Sequence, residues 1–373
     1  GTNILGYANS EVDKAVKKNI NKSNMSTLNC PEEVFLAERL LSMHPWAGKV
    51  KFARTGGEAN AMAIRIARAA SGRDNVAICG YHGWHDWYLS TNHNIGDGLS
   101  NHLLPGLNPS GVPKKLQDTV YPFNYNDYST LENLCKKNNI GVIKMEVERN
   151  YGPENNFLKK VRELATKLNI VLVFDECTSA FRETFGGIHK KYKVEPDVAM
   201  FGKTIGNGYA LTAVVGKREV MDSAQKTFIS STFHTERIGP TAALKTLEVM
   251  ERIKSWEIIT EVGKKVKNGW KNISDLNNVN IEISGIPSLV SYNFNSENNL
   301  KYKTLITQEM LKRGFLASDR FYACISHSEK KINNYLSELN DVFNIISKCE
   351  KDELFIDDLL NGPVRHSGFK RLN

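Results

Sequence analysis

Short apolar runs alternate with helical patterns through the middle of the chain. The runs at 76–79, 141–147, 170–174, 198–201 and 212–216 are typical of buried strands. Between them, apolar positions recur with helical spacing, as at 58–70 and 157–168. This alternation predicts a mostly parallel α/β sheet with helices on both faces, over residues 46–254.

The pattern changes after residue 254. A strand at 289–294, a helix at 301–312, a strand ending at 325–327 and a helix at 328–348 are indicated. They predict a smaller α+β domain over residues 255–373. The first 45 residues carry helical patterns at 10–18 and 32–43, and we expect segment 1–45 to pack with that smaller domain.

The composition is that of an ordinary globular protein, with 41% hydrophobic and 24% charged residues among 373. The net charge of +8 is scattered along helical patterns, so we expect no nucleic-acid partner. The apolar runs are far shorter than a bilayer requires, and we expect no membrane partner. Six cysteines without a CxxC pair or metal-ligand spacing predict free thiols, a cytoplasmic location and no metal. The chain starts at Gly1 without a methionine, so we expect its natural N-terminus to lie further upstream.

The clearest chemical signal is a carboxylate and a lysine. Asp175 closes the apolar run 170–174, and Lys203 follows the run 198–201 on a turn of small residues. In such a sheet, ligands bind beyond the carboxyl ends of the strands. A lysine can form a Schiff base with the aldehyde of pyridoxal phosphate, and a carboxylate can keep the ring nitrogen protonated. The pair therefore predicts a pyridoxal phosphate site.

Two other segments have the composition of a ligand site. Gly56 and Gly57 lie between a strand end and a helix start, where backbone amides can approach a phosphate. His82 and His85 are three residues apart beside an aspartate, but the helical context of a metal site is absent. Tyr81 is better suited to cover a flat heterocycle. Each segment by itself is equally compatible with a structural role.

In their order along the chain, these segments resemble class III aminotransferases, and most of all the branch around glutamate-1-semialdehyde 2,1-aminomutase. The motifs are Thr55-Gly56-Gly57-Glu58-Ala59, Tyr81-His82-Gly83, Phe174-Asp175-Glu176, Phe181-Arg182, Pro196-Asp197, 202–208 and Ser231-Thr232-Phe233. The resemblance implies the α/β fold of fold-type I pyridoxal phosphate transferases. That fold has a large domain with a mostly parallel seven-stranded sheet and a smaller α+β domain. The resemblance also implies a homodimer with active sites at the subunit interface.

The same resemblance assigns roles to residues. Lys203 would be the Schiff-base lysine and Asp175 the partner of the ring nitrogen, which makes these two the catalytic residues. The other cofactor-binding residues that it implies are Thr55, Gly56, Gly57, Tyr81, His82, Glu146, Asn150, Cys177 and Thr232.

Some of these positions have a more specific implied role. Tyr81 would stack on one face of the ring, and Cys177 occupies the position of a valine against the other face. Gly56 and Gly57 would bind the phosphate through their amides. Thr232 would reach the phosphate in the neighbouring subunit, and Asn150 would lie near the phenolic oxygen.

The implied activity is an amino transfer through the Lys203 Schiff base and pyridoxamine phosphate, from an amino donor to a carbonyl acceptor. At 234–237 the chain has His-Thr-Glu-Arg where the family has Gly-Gly-Asn-Pro, which favours an acceptor other than an α-keto acid. An aminomutase that moves the amine within one semialdehyde is the alternative. A degenerate binding protein of the same fold is a further one, against which the intact Asp175 and Lys203 argue. The basic tail at 362–371 either approaches the active-site mouth or forms a mobile end.

Overall fold

The computed structural model describes residues 1–93 and 107–367, and it divides the chain into two compact units. The larger unit comprises Thr2–Glu148 and Gly152–Trp256. The smaller unit comprises Gly1, Arg149–Tyr151 and the chain from Glu257 onward. The end of the basic tail, from residue 368, lies outside the described residues.

The larger unit contains a seven-stranded sheet. Its strands are β1 (Lys49–Ala53), β2 (Asn75–Cys79), β3 (Val120–Pro122), β4 (Ile140–Glu146), β5 (Val171–Asp175), β6 (Val198–Phe201) and β7 (Thr212–Gly216). Across the sheet their order is β1-β7-β6-β5-β4-β2-β3. Strand β7 pairs antiparallel with β1 and β6, and the other pairings are parallel. The predicted mostly parallel sheet is confirmed.

Nine helices of this unit are described. They are α1 (Ser10–Ile20), α2 (Pro31–Met43), α3 (Gly56–Ser71), α4 (Asp86–Leu89), α5 (Tyr128–Lys137), α6 (Phe157–Lys167), α7 (His189–Tyr192), α8 (Arg218–Met221) and α9 (Ile238–Ile253). Helix α3 ends at Gly72, whose φ of +66° suits a glycine at a helix C-terminus. Its alanine- and isoleucine-rich face packs on the valine-rich face of the sheet, and this contact forms a hydrophobic core.

The first 45 residues differ from expectation, because the structure groups all but Gly1 of them with the sheet-bearing unit. Helices α1 and α2 pack against α9. The Asn19 amide donates hydrogen bonds to Thr241 Oγ1 (2.6 Å) and Glu32 Oε1 (2.9 Å), and Arg237 forms an ion pair with Glu32 at 2.7 Å. These contacts correct the predicted association with the smaller domain. The apolar faces of α1 and α2 indicate that the helices are partly buried, but they do not indicate which element each helix packs against.

The smaller unit has a three-stranded antiparallel sheet in the order β10-β9-β8. Its elements are α10 (Ser255–Asn277), β8 (Ile281–Ser284), β9 (Leu289–Phe294), α11 (Asn299–Lys312), β10 (Arg320–Tyr322), α12 (Glu329–Glu350) and α13 (Ile356–Leu359). The division between the units falls near the start of α10, after Trp256. An aromatic core forms around Trp270 and Tyr292, whose ring centroids are 4.7 Å apart.

The predicted strand end at 325–327 is wrong, because β10 ends at Tyr322 and a turn follows. The His327 ring accepts a hydrogen bond from the Cys324 amide at 3.0 Å, which closes that turn. A short alternating segment and a turn with one buried side chain look alike in sequence. In the part of the chain that is described, no helix is both long and apolar enough to cross a membrane.

Candidate active site

Asp175 is the last residue of β5 and is 5% exposed. Its Oδ1 accepts a hydrogen bond from the Cys177 amide (3.1 Å), and its Oδ2 accepts one from His82 Nδ1 (2.9 Å). Burial raises the pKa of this carboxyl, but Lys144, His82 and the Cys177 amide together outweigh burial and hold the pKa well below its usual range. Asp175 is therefore a fixed buried anion at the carboxyl end of the sheet.

His82 follows β2 and is fully buried. Its Nε2 lies 3.2 Å from the Cys79 carbonyl oxygen, while its Nδ1 faces Asp175. The imidazole is enclosed by two aromatic rings. Trp87 stacks on it with the ring centroids 6.4 Å apart, and Tyr88 meets it edge-on with the centroids 5.7 Å apart. Through the contact between Nδ1 and Oδ2, His82 orients the Asp175 carboxylate.

Lys203 follows β6 and has a strained backbone. Its φ is +44°, in the left-handed region that costs a non-glycine residue roughly 1–2 kcal/mol. Such strain persists where the surrounding structure requires it, often at functional sites. The amine donates a hydrogen bond to Thr178 Oγ1 at 2.6 Å. A Cβ on Gly202 would lie 3.0 Å from Thr212 Cγ2 and 3.1 Å from Cys177 Sγ, so a glycine lets the chain pass closely before Lys203.

The N-terminus of α3 has the geometry of an anion site. Thr55 caps the helix, accepting a hydrogen bond from the Glu58 amide at 3.2 Å. Gly56 and Gly57 open the helix, where the first amides have no intrahelical acceptor and the helix dipole is positive. A Cβ on Gly57 would come within 2.7 Å of the His85 ring. Two glycine amides at the start of a helix of 16 residues can therefore bind a phosphate.

The structure connects most of the predicted site residues. His82 bonds to Asp175, and Cys177 lies beside it, with its Sγ 4.0 Å from the Cβ position of Gly56. Glu146 ends the neighbouring strand β4 and accepts a hydrogen bond from the Tyr81 amide at 3.1 Å. An ionised carboxylate, a strained lysine and a helix N-terminus correspond to the ring nitrogen, the aldehyde and the phosphate of pyridoxal phosphate. The residues present fit that cofactor.

Two other predicted residues make different contacts. Asn150 is assigned to the smaller unit, where its carbonyl accepts a hydrogen bond from the Gly285 amide at 3.0 Å. Thr232 is exposed on the loop that precedes α9. Arg54 holds this loop by donating to the Phe233 and Glu236 carbonyls, at 2.5 and 3.0 Å.

Sequence reasoning missed two polar neighbours of the site. Thr178 is the hydrogen-bond acceptor of the Lys203 amine. Lys144 is fully buried in β4, and its Nζ lies 4.0 Å from Asp175 Oδ2. For Lys144, the signal in the sequence was the presence of a lysine within the apolar run 141–147. The described residues contain no cluster of His, Cys, Asp or Glu that could hold a metal ion.

Comparison with known proteins identifies the family. The model of the family described as aminotransferase class-III matches residues 1–324. A 3-aminobutyryl-CoA aminotransferase of Cloacimonas acidaminovorans is 31% identical over 347 residues, 89% of this chain and 80% of that protein. A glutamate-1-semialdehyde 2,1-aminomutase of Sulfolobus acidocaldarius is 32% identical over 366 residues, 92% of this chain and 86% of that protein.

Solved structures show the same fold at low sequence identity. The FumI protein of Sphingopyxis sp. MTA144, solved with pyridoxal phosphate, has a TM-score of 0.86 at 20% identity, covering 96% of this chain and 86% of that one. An omega-transaminase from Sphaerobacter thermophilus has a TM-score of 0.82 at 22% identity, covering 92% and 84%. These likenesses confirm the predicted fold-type I architecture.

The predicted cofactor and enzyme class are confirmed as well, since the family is one of pyridoxal phosphate enzymes. Both an aminotransferase and an aminomutase are among the relatives. The aminotransferase interpretation is supported by the family. The chain belongs to the class-III aminotransferase family and is a pyridoxal phosphate-dependent aminotransferase.

Proposed function

We propose that Lys203 and Asp175 are the catalytic residues of an aminotransferase that moves an amino group between two separate molecules. The observation that carries this proposal is the pairing of a fixed buried anion with a strained lysine after the next strand. Asp175 receives a donor on each oxygen, and Lys203 has a φ of +44°. Neither arrangement is needed for folding, because an apolar residue at 175 and a glycine at 203 would be easier to accommodate.

When bound, pyridoxal phosphate supplies an electron sink for the substrate carbon and carries the amino group between half-reactions. The chain's residues bind and orient it. Thr55, Gly56 and Gly57 would hold the phosphate at the start of α3, and Asp175 would hold the proton of the ring nitrogen. Tyr81 and Cys177 would lie against the two faces of the ring.

The remaining residues tune this arrangement. His82 fixes the Asp175 carboxylate, so that the carboxylate oxygens do not rotate away from the ring nitrogen. Glu146 holds the Tyr81 backbone in place. The Lys203 amine would hold the cofactor aldehyde, and it would act as the general base that moves a proton at the substrate carbon. Thr178 would orient this amine, since its hydroxyl accepts a hydrogen bond from Lys203.

The experiment is a visible absorption titration of the cofactor-loaded protein with single amines, in the absence of any acceptor. In the supporting result, one amino acid abolishes the absorption band of the Schiff base, and a carbonyl compound added afterwards restores it. This result supports intermolecular transfer and identifies the donor. No conversion by common donors, but turnover of glutamate-1-semialdehyde, would instead establish the aminomutase. The control is Lys203→Ala, which must lose the band. A band that is identical in this variant would overturn the assignment of Lys203.

We further propose that the enzyme is a homodimer in which Thr232 acts in the partner's active site. Large apolar side chains are exposed near α3 and on the loop before α9: Trp84 (70%), Phe228 (85%) and Phe233 (53%). Such surfaces are typical of protein interfaces. A second subunit would cover these aromatic side chains.

Mixed dimers test this proposal. Lys203→Ala and Thr232→Ala are prepared separately and then combined, and tight pyridoxal phosphate sites are counted per dimer. If Thr232 acts in the partner, the mixed dimer has one site with both residues intact. If Thr232 acts in its own chain, no site is intact and mixing restores nothing. A monomer by light scattering would also contradict the proposal.

We infer a reducing compartment, the cytoplasm, as the location. The six cysteines are all free, and five of them are buried. Free thiols persist where glutathione and thioredoxin keep them reduced. Fractionation of cells that produce the full-length protein tests this inference, and recovery outside the cytoplasm would contradict it.

A further inference from the structure

Lys144 lies among aliphatic side chains inside the sheet. Residues 142, 144 and 146 of β4 point to the same face, because side chains alternate along a strand. In the row across the sheet, Lys144 is paired with Ile78 on β2 and Val173 on β5. Its side chain is fully buried. An apolar side chain of similar length would fill this position without a polar partner, so packing does not explain the amine.

The contacts of the amine point to Asp175. Nζ lies 4.0 Å from Asp175 Oδ2, and it donates a weak hydrogen bond to Met200 Sδ at 2.9 Å. Burial lowers the pKa of Lys144, whereas Asp175 opposes that effect. Conversely, burial raises the pKa of Asp175, and Lys144 is the strongest influence in the opposite direction. Each group therefore moderates the electrostatic cost of burying the other.

We propose that Lys144 is a positioning residue that acts on the cofactor through Asp175. It supplies a cation behind Oδ2, while His82 and the Cys177 amide each donate to one carboxylate oxygen. This arrangement keeps Asp175 charged and aligned for the ring nitrogen. The inference rests on the proposed role of Asp175. The other titratable groups that are coupled to the pair are His82, Tyr88, Glu146 and Cys177, and Lys203 acts on Cys177.

The test compares Lys144→Met with the wild-type full chain. Methionine keeps the length of the side chain and removes the charge. Pyridoxal phosphate affinity is measured from about pH 8 to about pH 5 and expressed as the ratio of variant to wild type, so that the titration of the cofactor itself cancels. We expect the relative affinity to fall by roughly tenfold or more across this range, because Asp175 takes up a proton in the variant. The control is Lys159→Met, on the exposed surface of α6. The affinity of this control relative to wild type should stay constant over the same pH range.

A direct readout does not depend on the cofactor. The carboxyl carbon of Asp175 is followed by ¹³C NMR in the full chain before loading, and Asp175→Asn assigns its signal. The wild-type signal is expected to stay constant down to about pH 5, whereas the signal in Lys144→Met moves at a higher pH. An unchanged signal in the variant overturns the proposal.

Thermal stability and the affinity ratio together separate a functional role from a structural one. Removing one partner of a buried ion pair leaves the other charge uncompensated, so Lys144→Met should lower the Tm. A lower Tm together with a constant affinity ratio would show that Lys144 only supports folding. Asp175→Asn distinguishes the two proposals. If Asp175→Asn binds the cofactor as tightly as wild type, the proposed role of Asp175 is wrong. If Asp175→Asn binds the cofactor weakly but Lys144→Met behaves as wild type, only the inference about Lys144 is wrong.

Discussion

Asp197, at the start of β6, offers the sharpest test of what stabilises the sheet-bearing unit. Its Oδ2 accepts hydrogen bonds from the Leu172 amide (2.8 Å) and from Arg162 Nη1 (2.9 Å), and its Oδ1 pairs with Lys217 Nζ at 2.8 Å. The Asp197 side chain is 11% exposed. One carboxylate therefore links the start of β5, helix α6 and the residue after β7. Asp197→Asn keeps the shape but removes the charge from both ion pairs.

The expected loss follows from burial. Breaking a buried ion pair costs about 3–5 kcal/mol, and a hydrogen bond to a charged group contributes about 1.5–3 kcal/mol. Arg162 and Lys217 are 21% and 33% exposed, so water partly replaces the lost contacts. The asparagine oxygen can also keep the bond from Leu172. We therefore expect a loss of about 2–3 kcal/mol, or roughly 5–10 °C in Tm for a unit of this size.

The assay is thermal unfolding of the cofactor-free protein at neutral pH, with Asp222→Asn as the matched control. Asp222 forms an exposed ion pair with Lys49, in which the two side chains are 53% and 35% exposed. Exposed pairs contribute about 0–1 kcal/mol, so this variant should unfold close to wild type. If Asp197→Asn unfolds within about 1 °C of Asp222→Asn, the reasoning is refuted.

The pH dependence follows from the same contacts. Burial raises the pKa of Asp197, but Lys217, Arg162 and the Leu172 amide outweigh it, so that the folded-state pKa lies below the usual value. The stabilisation is therefore complete above the unfolded-state pKa of about 4 and is lost as pH falls through the folded-state pKa. The Tm difference between wild type and Asp197→Asn should be constant from about pH 8 to about pH 5 and shrink at lower pH.

Three further outcomes are expected. Lys203→Gly should be more stable without cofactor than Lys203→Ala by about 1 kcal/mol in unfolding measurements, because φ is +44° at this position; the opposite order would contradict backbone strain. Burial lowers the pKa of His44 to about 4. As the pH falls, the unfolded state therefore binds a proton before the folded state does, and stability should decrease from about pH 6.5 towards about pH 4. Thermal scans of His44→Asn should show a smaller decrease. Cys324, the one cysteine that is not buried, should react first with a thiol reagent, as mass spectrometry of the labelled peptides would show; earlier labelling of Cys177 would contradict its burial.

The sequence by itself determined the sheet and the main chemical residues. Strands β5, β6 and β7 are buried on both faces, so they appear as continuous apolar runs whose limits are readable within a residue. Asp175 and Lys203 follow two such runs, and the carboxyl ends of adjacent parallel strands meet at one edge of a sheet. Two local patterns therefore sufficed to place a carboxylate and a lysine in the same region.

The tertiary structure alone decided which side chains meet. His82 and Asp175 are 93 residues apart, and their hydrogen bond depends on the strand order β2-β4-β5. Lys144 looked like one polar residue in an apolar run until the register of β4 against β5 placed it behind Asp175. In the same way, the apolar faces of α1 and α2 indicated burial, but only the packing on α9 assigned them to the larger unit. The physical reason is that periodicity reports how a residue is exposed along its own element, whereas partners are chosen by topology and register across the fold.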